Sequence, residues 1–214
     1  MKKIISILLV FVTLISCSEK KEKKTNDTNT NNFESKQLHF DLKTNEILKD
    51  WFDYYKSENS TFSLSDFKFE RTDTLHFIKG NVLGLFDKNF DKTYTNFLVF
   101  SADKNKYIDF DSYYWTLDDE KKPLFDIDQE INLVDIKQQT VTRIGFRSST
   151  TWVENAFWEN DSTIMLLENN TENCPRITKI ELKKSKSETF KYKDSMSFKP
   201  KYFDLRFKKK GLKN

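Results

Sequence analysis

The sequence is poor in the residue types that build many common active sites. Its 214 residues include 2 cysteines, 2 histidines, 4 glycines and 3 prolines. A zinc site generally needs three or four clustered His, Cys or carboxylate ligands, and a phosphate-binding loop needs several glycines close together. We therefore expect no metal and no cofactor, and we place His39 and His76 on strand or loop faces. These patterns lead us to name no catalytic residue.

Cysteine usage excludes a disulfide framework of the kind found in small secreted domains. The two cysteines are Cys17 and Cys174, whereas an exported fold that relied on disulfides would carry an even set in its folded part. Cys174 lies between Asn173 and Pro175, with no histidine nearby in the sequence to activate it. We expect a buried structural thiol there rather than a nucleophile.

Residues 1–16 have the three parts of a secretory signal. Lys2 and Lys3 supply positive charge, an apolar stretch of about 12 residues follows, and a small residue, Ser16, precedes the expected cut. The apolar stretch is too short to span a bilayer, which takes about 20 residues. The segment therefore predicts export rather than a transmembrane anchor.

The residues that end at Cys17 carry a more specific signal. Residues 14–17 read Leu-Ile-Ser-Cys, which resembles the lipobox of Gram-negative bacterial lipoproteins. The resemblance implies that residues 1–16 are removed, that the thiol of Cys17 is lipidated, and that the new amine is acylated, for example with palmitate. It also implies a cell-envelope protein, and in that family Ser18 after the cysteine goes with the outer membrane. The periplasmic or surface face stays open, and a plain secretory signal is the alternative.

The rest of the chain divides into a tether and a domain. Residues 17–36 are rich in Lys, Glu, Asn and Thr, with Phe33 their only aromatic, and such a segment cannot bury enough apolar area to offset its ordering entropy. We interpret it as a flexible tether behind the lipidated cysteine. Residues 37–214 fit a single mostly β domain by length, and an aromatic content of 15% provides material for a core.

A helical pattern occurs near the start of this domain, in residues 45–57. Its apolar residues fall at steps of one and three positions, which places them along one helical face. We expect this amphipathic helix to pack onto a sheet through that face, which comprises Ile47, Leu48, Trp51, Phe52 and Tyr55.

From residue 67 onward the pattern is typical of β-strands separated by polar turns. Residues 74–80 predict a strand closed by glycine. Two similar four-stranded units follow, with strands near 96–100, 106–110, 131–136 and 140–144, and then near 156–160, 163–167, 177–182 and 187–190. These units resemble β-propeller blades, although hairpins of any antiparallel sheet look alike. The predicted fold is mainly β: two blade-like antiparallel units, as a sandwich or partial propeller, plus one N-terminal amphipathic helix.

Charge is concentrated in an acidic segment and a basic tail. Residues 109–130 carry eight carboxylates, and we expect a solvated loop because the spacing of a calcium-binding EF-hand is absent. For residues 201–207 we predict a terminal strand with alternating faces. Removing Lys2 and Lys3 from the 36 basic residues leaves 34 against 33 acidic ones. A nearly neutral mature chain does not favour nucleic acid as a partner.

Two functions from different classes remain after these observations. The first is a non-enzymatic envelope lipoprotein that is attached to a membrane through lipid on Cys17 and binds a protein or glycan partner. Exposed aromatics such as Trp115, Trp152 and Trp158 are its candidate anchors. The alternative is a hydrolase of envelope polymers that uses carboxylates of residues 109–130, since paired carboxylates catalyse glycoside hydrolysis.

Overall fold

The computed structural model describes Leu38, Leu42 and residues 45–212, which form mainly β structure. The two α-helices of this part of the chain are α1 (Glu46–Glu58) and α2 (Tyr202–Lys209). Its twelve strands are β1 (Phe67–Thr74), β2 (Ile78–Lys79), β3 (Val99–Phe100), β4 (Lys106–Asp109), β5 (Trp115–Leu117), β6 (Pro123–Phe125), β7 (Gln129–Asp135), β8 (Thr140–Arg147), β9 (Thr151–Asn160), β10 (Thr163–Asn170), β11 (Arg176–Glu181) and β12 (Lys186–Tyr192).

The strands form two five-stranded sheets and one two-stranded hairpin. Sheet 1 has the order β2-β8-β7-β4-β3, sheet 2 has the order β1-β12-β11-β10-β9, and β5 pairs with β6. Every strand pairing is antiparallel. Both predicted four-stranded units are confirmed, because β3, β4, β7 and β8 are neighbours in one sheet and β9 to β12 in the other. A fifth strand from earlier in the chain joins the last strand of each unit.

The two sheets pack face to face through an apolar core. Ile108 and Ile131 of sheet 1 contact a cluster that includes Ile164, Leu166 and Ile180 of sheet 2. Alternate residues of a strand point to opposite faces, so these positions form the inner face of each sheet. Face-to-face packing of this kind is common to the two architectures that the sequence predicts.

Helix α1 covers the other face of sheet 2, as its pattern predicts. Leu48, Trp51 and Tyr55 are buried against that sheet, and Ile47 and Phe52 pack partly buried against the same cluster. The helix begins after Asn45, whose Oδ1 accepts a hydrogen bond of 2.9 Å from the backbone N–H of Leu48. With helix on one face and sheet on the other, all eight residues of β10 are buried.

The basic tail forms a helix, so the prediction of a terminal strand in residues 201–207 is wrong. The residues that face the domain are spaced three and four positions apart, as on a helix: Tyr202, Phe203, Arg206 and Phe207. Over so few residues this helical spacing cannot be distinguished from the alternating pattern of a strand. Helix α2 packs Phe207 against Trp115 and the aromatic residues near it. That packing selects the helix over the strand.

The predicted strand at residues 74–80 is also wrong, because the chain changes sheets within it. The N–H of Leu75 still donates to the carbonyl of Ser185 in sheet 2, at 2.8 Å. Three residues later Ile78 pairs with Arg143 in sheet 1. Strand β1 therefore ends at Thr74, and β2 is a separate strand of two residues.

Candidate binding cleft between the two sheets

A cleft lies where the chain crosses from β1 of sheet 2 to β2 of sheet 1. Its walls come from β1 and β12 on one side and from the end of β8 on the other. The volume is about 280 Å³, near the lower end of the range for pockets that bind small ligands or single side chains. The charged, titratable and aromatic side chains that line it are Arg71, Asp73, His76, Arg143, Phe146 and Arg147.

Two arginines of β8 are each held by a buried carboxylate. Arg143 Nη1 donates to Glu130 Oε1, and Arg147 Nε donates to Glu168 Oε1, both at 2.6 Å. The Glu130 and Glu168 side chains are 0% and 2% exposed, whereas those of Arg143 and Arg147 are 25% and 21% exposed. The negative charges therefore lie behind the guanidinium groups, which keep an accessible side.

Further donors keep both carboxylates in place. Burial tends to raise the pKa of Glu130, but hydrogen bonds from Asn81 and from Arg143 outweigh it and hold that pKa below its usual value. Glu168 accepts a hydrogen bond from the hydroxyl of Thr178 as well as from Arg147. Both carboxylates have the partners that a buried acceptor needs, so the arginine positions are fixed by satisfied networks.

Arg71 stands on the opposite wall of the cleft. It pairs in register with Thr189, and its Nε donates to Asp73 Oδ2 at 2.7 Å. Half of its side chain is exposed, so this pair is weaker than the two in β8. The cleft thus has guanidinium groups on both walls.

Large apolar side chains are exposed beside these arginines. Phe77, Ile78 and Phe146 are 45%, 46% and 44% exposed. The Arg143 guanidinium lies 5.4 Å from the centre of the Phe146 ring, within the range of a cation–π contact. Aromatic side chains and arginines are the residue types enriched in protein interfaces. The combination can hold an anionic group and shield it from water.

The three tryptophans predicted as exposed anchors do not form this site. The prediction is wrong for Trp115, which is 1% exposed because its indole N–H donates to Asp111 and its ring packs on Phe97 and Phe207. Trp152 and Trp158 are half-buried. Trp158 Nε1 donates to the Val99 carbonyl at 2.9 Å, so its polar edge is used within the fold.

The prediction of a solvated acidic loop is wrong for three of its carboxylates, Asp109, Asp111 and Glu130, which are buried. Asp109 Oδ1 accepts from the backbone N–H groups of Asp111 and Ser112, both at 3.0 Å, and burial raises its pKa. Asp111 accepts two hydrogen bonds from Arg206, in a pair that is itself buried. Internal donors, which composition does not reveal, account for this burial.

The hydrolase alternative would draw its two carboxylates from the same segment, 109–130. Asp109 and Asp111 do not line the cleft, and the oxygens of both accept hydrogen bonds within the fold. Five carboxylates of the segment are partly or fully exposed instead: Asp118, Asp119, Glu120, Asp126 and Asp128.

Cys174 is buried, which confirms the structural thiol that the sequence predicts. Its Sγ lies 3.4 Å from the carbonyl oxygen of Tyr192, and burial raises the pKa of the thiol. His76 is exposed at the cleft. Within residues 45–212 no three His, Cys, Asp or Glu side chains are grouped as a metal site would require. Cys17, the predicted lipidation site, and His39 lie outside the described residues, as do the predicted signal peptide and tether.

Sequence reasoning missed the arginines and the carboxylates behind them. Residues 143–147 read Arg-Ile-Gly-Phe-Arg and begin within the strand predicted near 140–144, so two cations stand at and just beyond the end of that strand. That pattern was the available signal, because a charged residue on a covered strand needs a partner. The partners, Glu130 and Glu168, are 13 and 21 residues away in the chain, and only the fold brings them close.

Comparisons with protein-family models, curated proteins and solved structures find no match for this chain. Neither helix in the described part of the chain combines the length and apolar character needed to cross a membrane.

Proposed function

We propose that this protein is a non-enzymatic binding module of the bacterial cell envelope, anchored by lipid on Cys17, whose partner binds in the cleft between the two sheets. The observation that carries the proposal is the pair Arg143 and Arg147. Each guanidinium is fixed from behind by a buried carboxylate and is accessible from the cleft, beside the exposed ring of Phe146. Groups that are pre-positioned in this way bind with less loss of side-chain entropy.

The chemistry of the cleft favours an anionic ligand group. A guanidinium has five N–H donors in a planar fork, and each pairing with a glutamate uses one nitrogen. Arg147 also donates from Nη1 to the carbonyl of Phe146, at 2.9 Å. Nitrogens remain on both residues for a carboxylate or phosphate from outside. The partner is therefore an acidic protein or glycan.

The anchor follows from residues 14–17 and gives the binding module its location. Two or three acyl chains hold a protein firmly on a membrane, whereas one chain gives only marginal, reversible binding. A tether of about 20 residues then lets the domain reach a partner on the order of 25 Å from the lipid surface. Attachment of this kind raises the local concentration of the domain for partners in the same membrane.

The proposal is tested by crosslinking in intact envelopes followed by recovery of the protein. The wild type is compared with Arg143→Gln/Arg147→Gln and with a control that removes two exposed positive charges, Lys122→Gln/Lys137→Gln. We expect a defined partner that is recovered with the wild type and the control and lost with the arginine variant. Recovery of no partner above background, or equal recovery with all three proteins, would overturn the proposal. Thermal unfolding of each protein checks that the variants are folded.

A further inference from the structure

Strand β8 is longer than the strand that covers one of its edges. Strand β7 pairs with it from Thr140 to Arg147. On the other edge β2 pairs only with Thr142 and Arg143, and the chain then leaves toward β1. Among the described residues, no strand pairs with that edge of residues 144–147.

This uncovered edge lies in the cleft. Residues 144–147 all line it, together with Leu75 and His76 from the crossing segment. The carbonyl of Phe146 accepts a hydrogen bond of 2.9 Å from Nη1 of the Arg147 side chain. An unpaired strand edge is a template on which an extended peptide can add as a further strand.

The side chains around this edge specify what such a peptide would carry. In an extended peptide successive side chains point to opposite faces, and those on one face recur about every 6 to 7 Å. A carboxylate on one face can therefore be followed by an apolar group on the other. Arg147 pairs with Gln129 and Phe146 with Glu130, so the two side chains lie on opposite faces of β8. Arg147 supplies a guanidinium fork for a carboxylate on one face of the peptide. On the other face, Phe146 and Ile78 supply exposed apolar surface beside Arg143 for the neighbouring side chain.

Building on the binding function proposed above, we propose that the cleft takes an extended acidic peptide segment of a partner protein. The segment adds as a strand to the edge of β8 at residues 144–147, in line with β2. One of its Glu or Asp carboxylates binds to Arg147, and the adjacent apolar side chain, which points to the opposite face, packs on Phe146 beside Arg143.

An anionic glycan would satisfy the arginines but not the strand edge. Sugars lack the regular backbone N–H and C=O groups that pair with a strand. The uncovered edge therefore favours a peptide over a glycan, and glycan binding becomes an outcome of the test.

The test uses the full chain in detergent and measures binding by titration calorimetry. The probes are a pool of eight-residue peptides in which glutamate alternates with valine, threonine or phenylalanine, the same pool with glutamine in place of glutamate, and the glutamate pool with N-methylated backbone amides. Oligogalacturonate serves as the glycan probe. We expect the glutamate pool to bind, and the glutamine and N-methylated pools to bind about tenfold more weakly or not at all.

Two variants locate the binding. Arg147→Lys keeps the positive charge beside Glu168 but loses the planar guanidinium fork. We expect this variant to bind the glutamate pool about tenfold more weakly than the wild type. Lys122→Gln/Lys137→Gln should leave binding unchanged. Equal binding of the methylated and unmethylated pools would overturn strand addition.

Binding of the glycan alone would overturn the peptide inference and leave the proposed binding function standing. If no probe binds and the envelope crosslinking also yields no partner, both the proposed binding function and the peptide inference are overturned. If no probe binds but a crosslinked partner depends on Arg143 and Arg147, only the peptide inference falls.

Discussion

Arg147 of β8 donates its Nε hydrogen to the buried carboxylate of Glu168 in β10, at 2.6 Å, and so joins the two sheets at the base of the cleft. The same guanidinium is 21% exposed. One residue therefore takes part both in the packing of the fold and in the candidate binding surface. The two roles separate experimentally, because the carboxylate acts on the ligand only through Arg147.

Replacing Glu168 with glutamine tests this positioning role. We expect Glu168→Gln to lower the free energy of unfolding by about 1 kcal/mol, since a charge-assisted hydrogen bond becomes a neutral one beside a partly exposed arginine. Peptide affinity should fall about tenfold as the guanidinium loses its orientation. Urea unfolding and calorimetry measure the two effects, with the exposed Glu159→Gln as control. Lower stability with unchanged affinity would limit Glu168 to a structural role.

The buried Glu154 predicts a pH-dependent stability. Burial raises the pKa of Glu154 from 4.5 to about 7, against hydrogen bonds from Trp51 Nε1 and the Tyr55 hydroxyl. Between pH 4.5 and 7 the folded state holds a proton that the unfolded state has released. The free energy of unfolding should therefore fall as pH rises through this window, by up to about 3 kcal/mol, and stay level above it.

Urea unfolding at pH 5 and pH 8 measures the size of this effect. In Glu154→Gln the proton linkage is absent, so the variant should gain stability relative to the wild type as pH rises. Glu159→Gln, which changes an exposed carboxylate, should follow the wild type. An equal pH dependence in Glu154→Gln and wild type would show that Glu154 titrates at its usual pKa.

The buried pair of Arg206 and Asp111 attaches α2 to the rest of the domain. Both side chains are at most 2% exposed, and Arg206 also lies 4.6 Å from the centre of the Phe110 ring. We expect Arg206→Met to cost about 3 kcal/mol because it leaves Asp111 buried without its cation. Arg206→Met/Asp111→Asn should cost less than the sum of the single changes, with a coupling of about 2 kcal/mol. Additive effects of the two changes would mean that the pair is not coupled.

Lipid attachment is tested at Cys17 alone. We expect Cys17→Ala to lose its lipid label and to leave the membrane fraction, because the thiol that accepts the lipid is gone. Metabolic labelling with a fatty-acid analogue and cell fractionation measure both. A variant that keeps its label and stays with membranes would contradict the lipoprotein prediction. Cys174→Ala is the matched control and should keep both label and location.

Local patterns were enough to predict much of this fold. The residues of α1 recur with helical spacing over several turns, and the hairpins of both four-stranded units join strands that are neighbours in the chain. The pairings of β1 with β12 and of β2 with β8 could not be predicted in this way. They join segments more than 60 residues apart, and no turn between them marks the contact.

The cleft was harder to predict than the fold because distant residues build it. Arg71 and Arg147 come from different sheets, and the burial of Glu130 and Glu168 depends on donors elsewhere in the chain. Sequence counts gave the number of carboxylates in residues 109–130 but not their partners. Trp115 was misplaced for the same reason, since its contacts with Asp111 and Phe207 form only in the folded chain.

Site-specific photocrosslinking in intact envelopes tests most directly whether the cleft is the binding surface. A benzophenone amino acid replaces either Phe146, which lines the cleft, or Phe100 in β3 at the far edge of sheet 1. Both side chains are exposed, at 44% and 37%. We predict a partner adduct from position 146 that disappears with Arg147→Lys, and none from position 100. An adduct from position 100 alone, or from neither position, would contradict binding in the cleft.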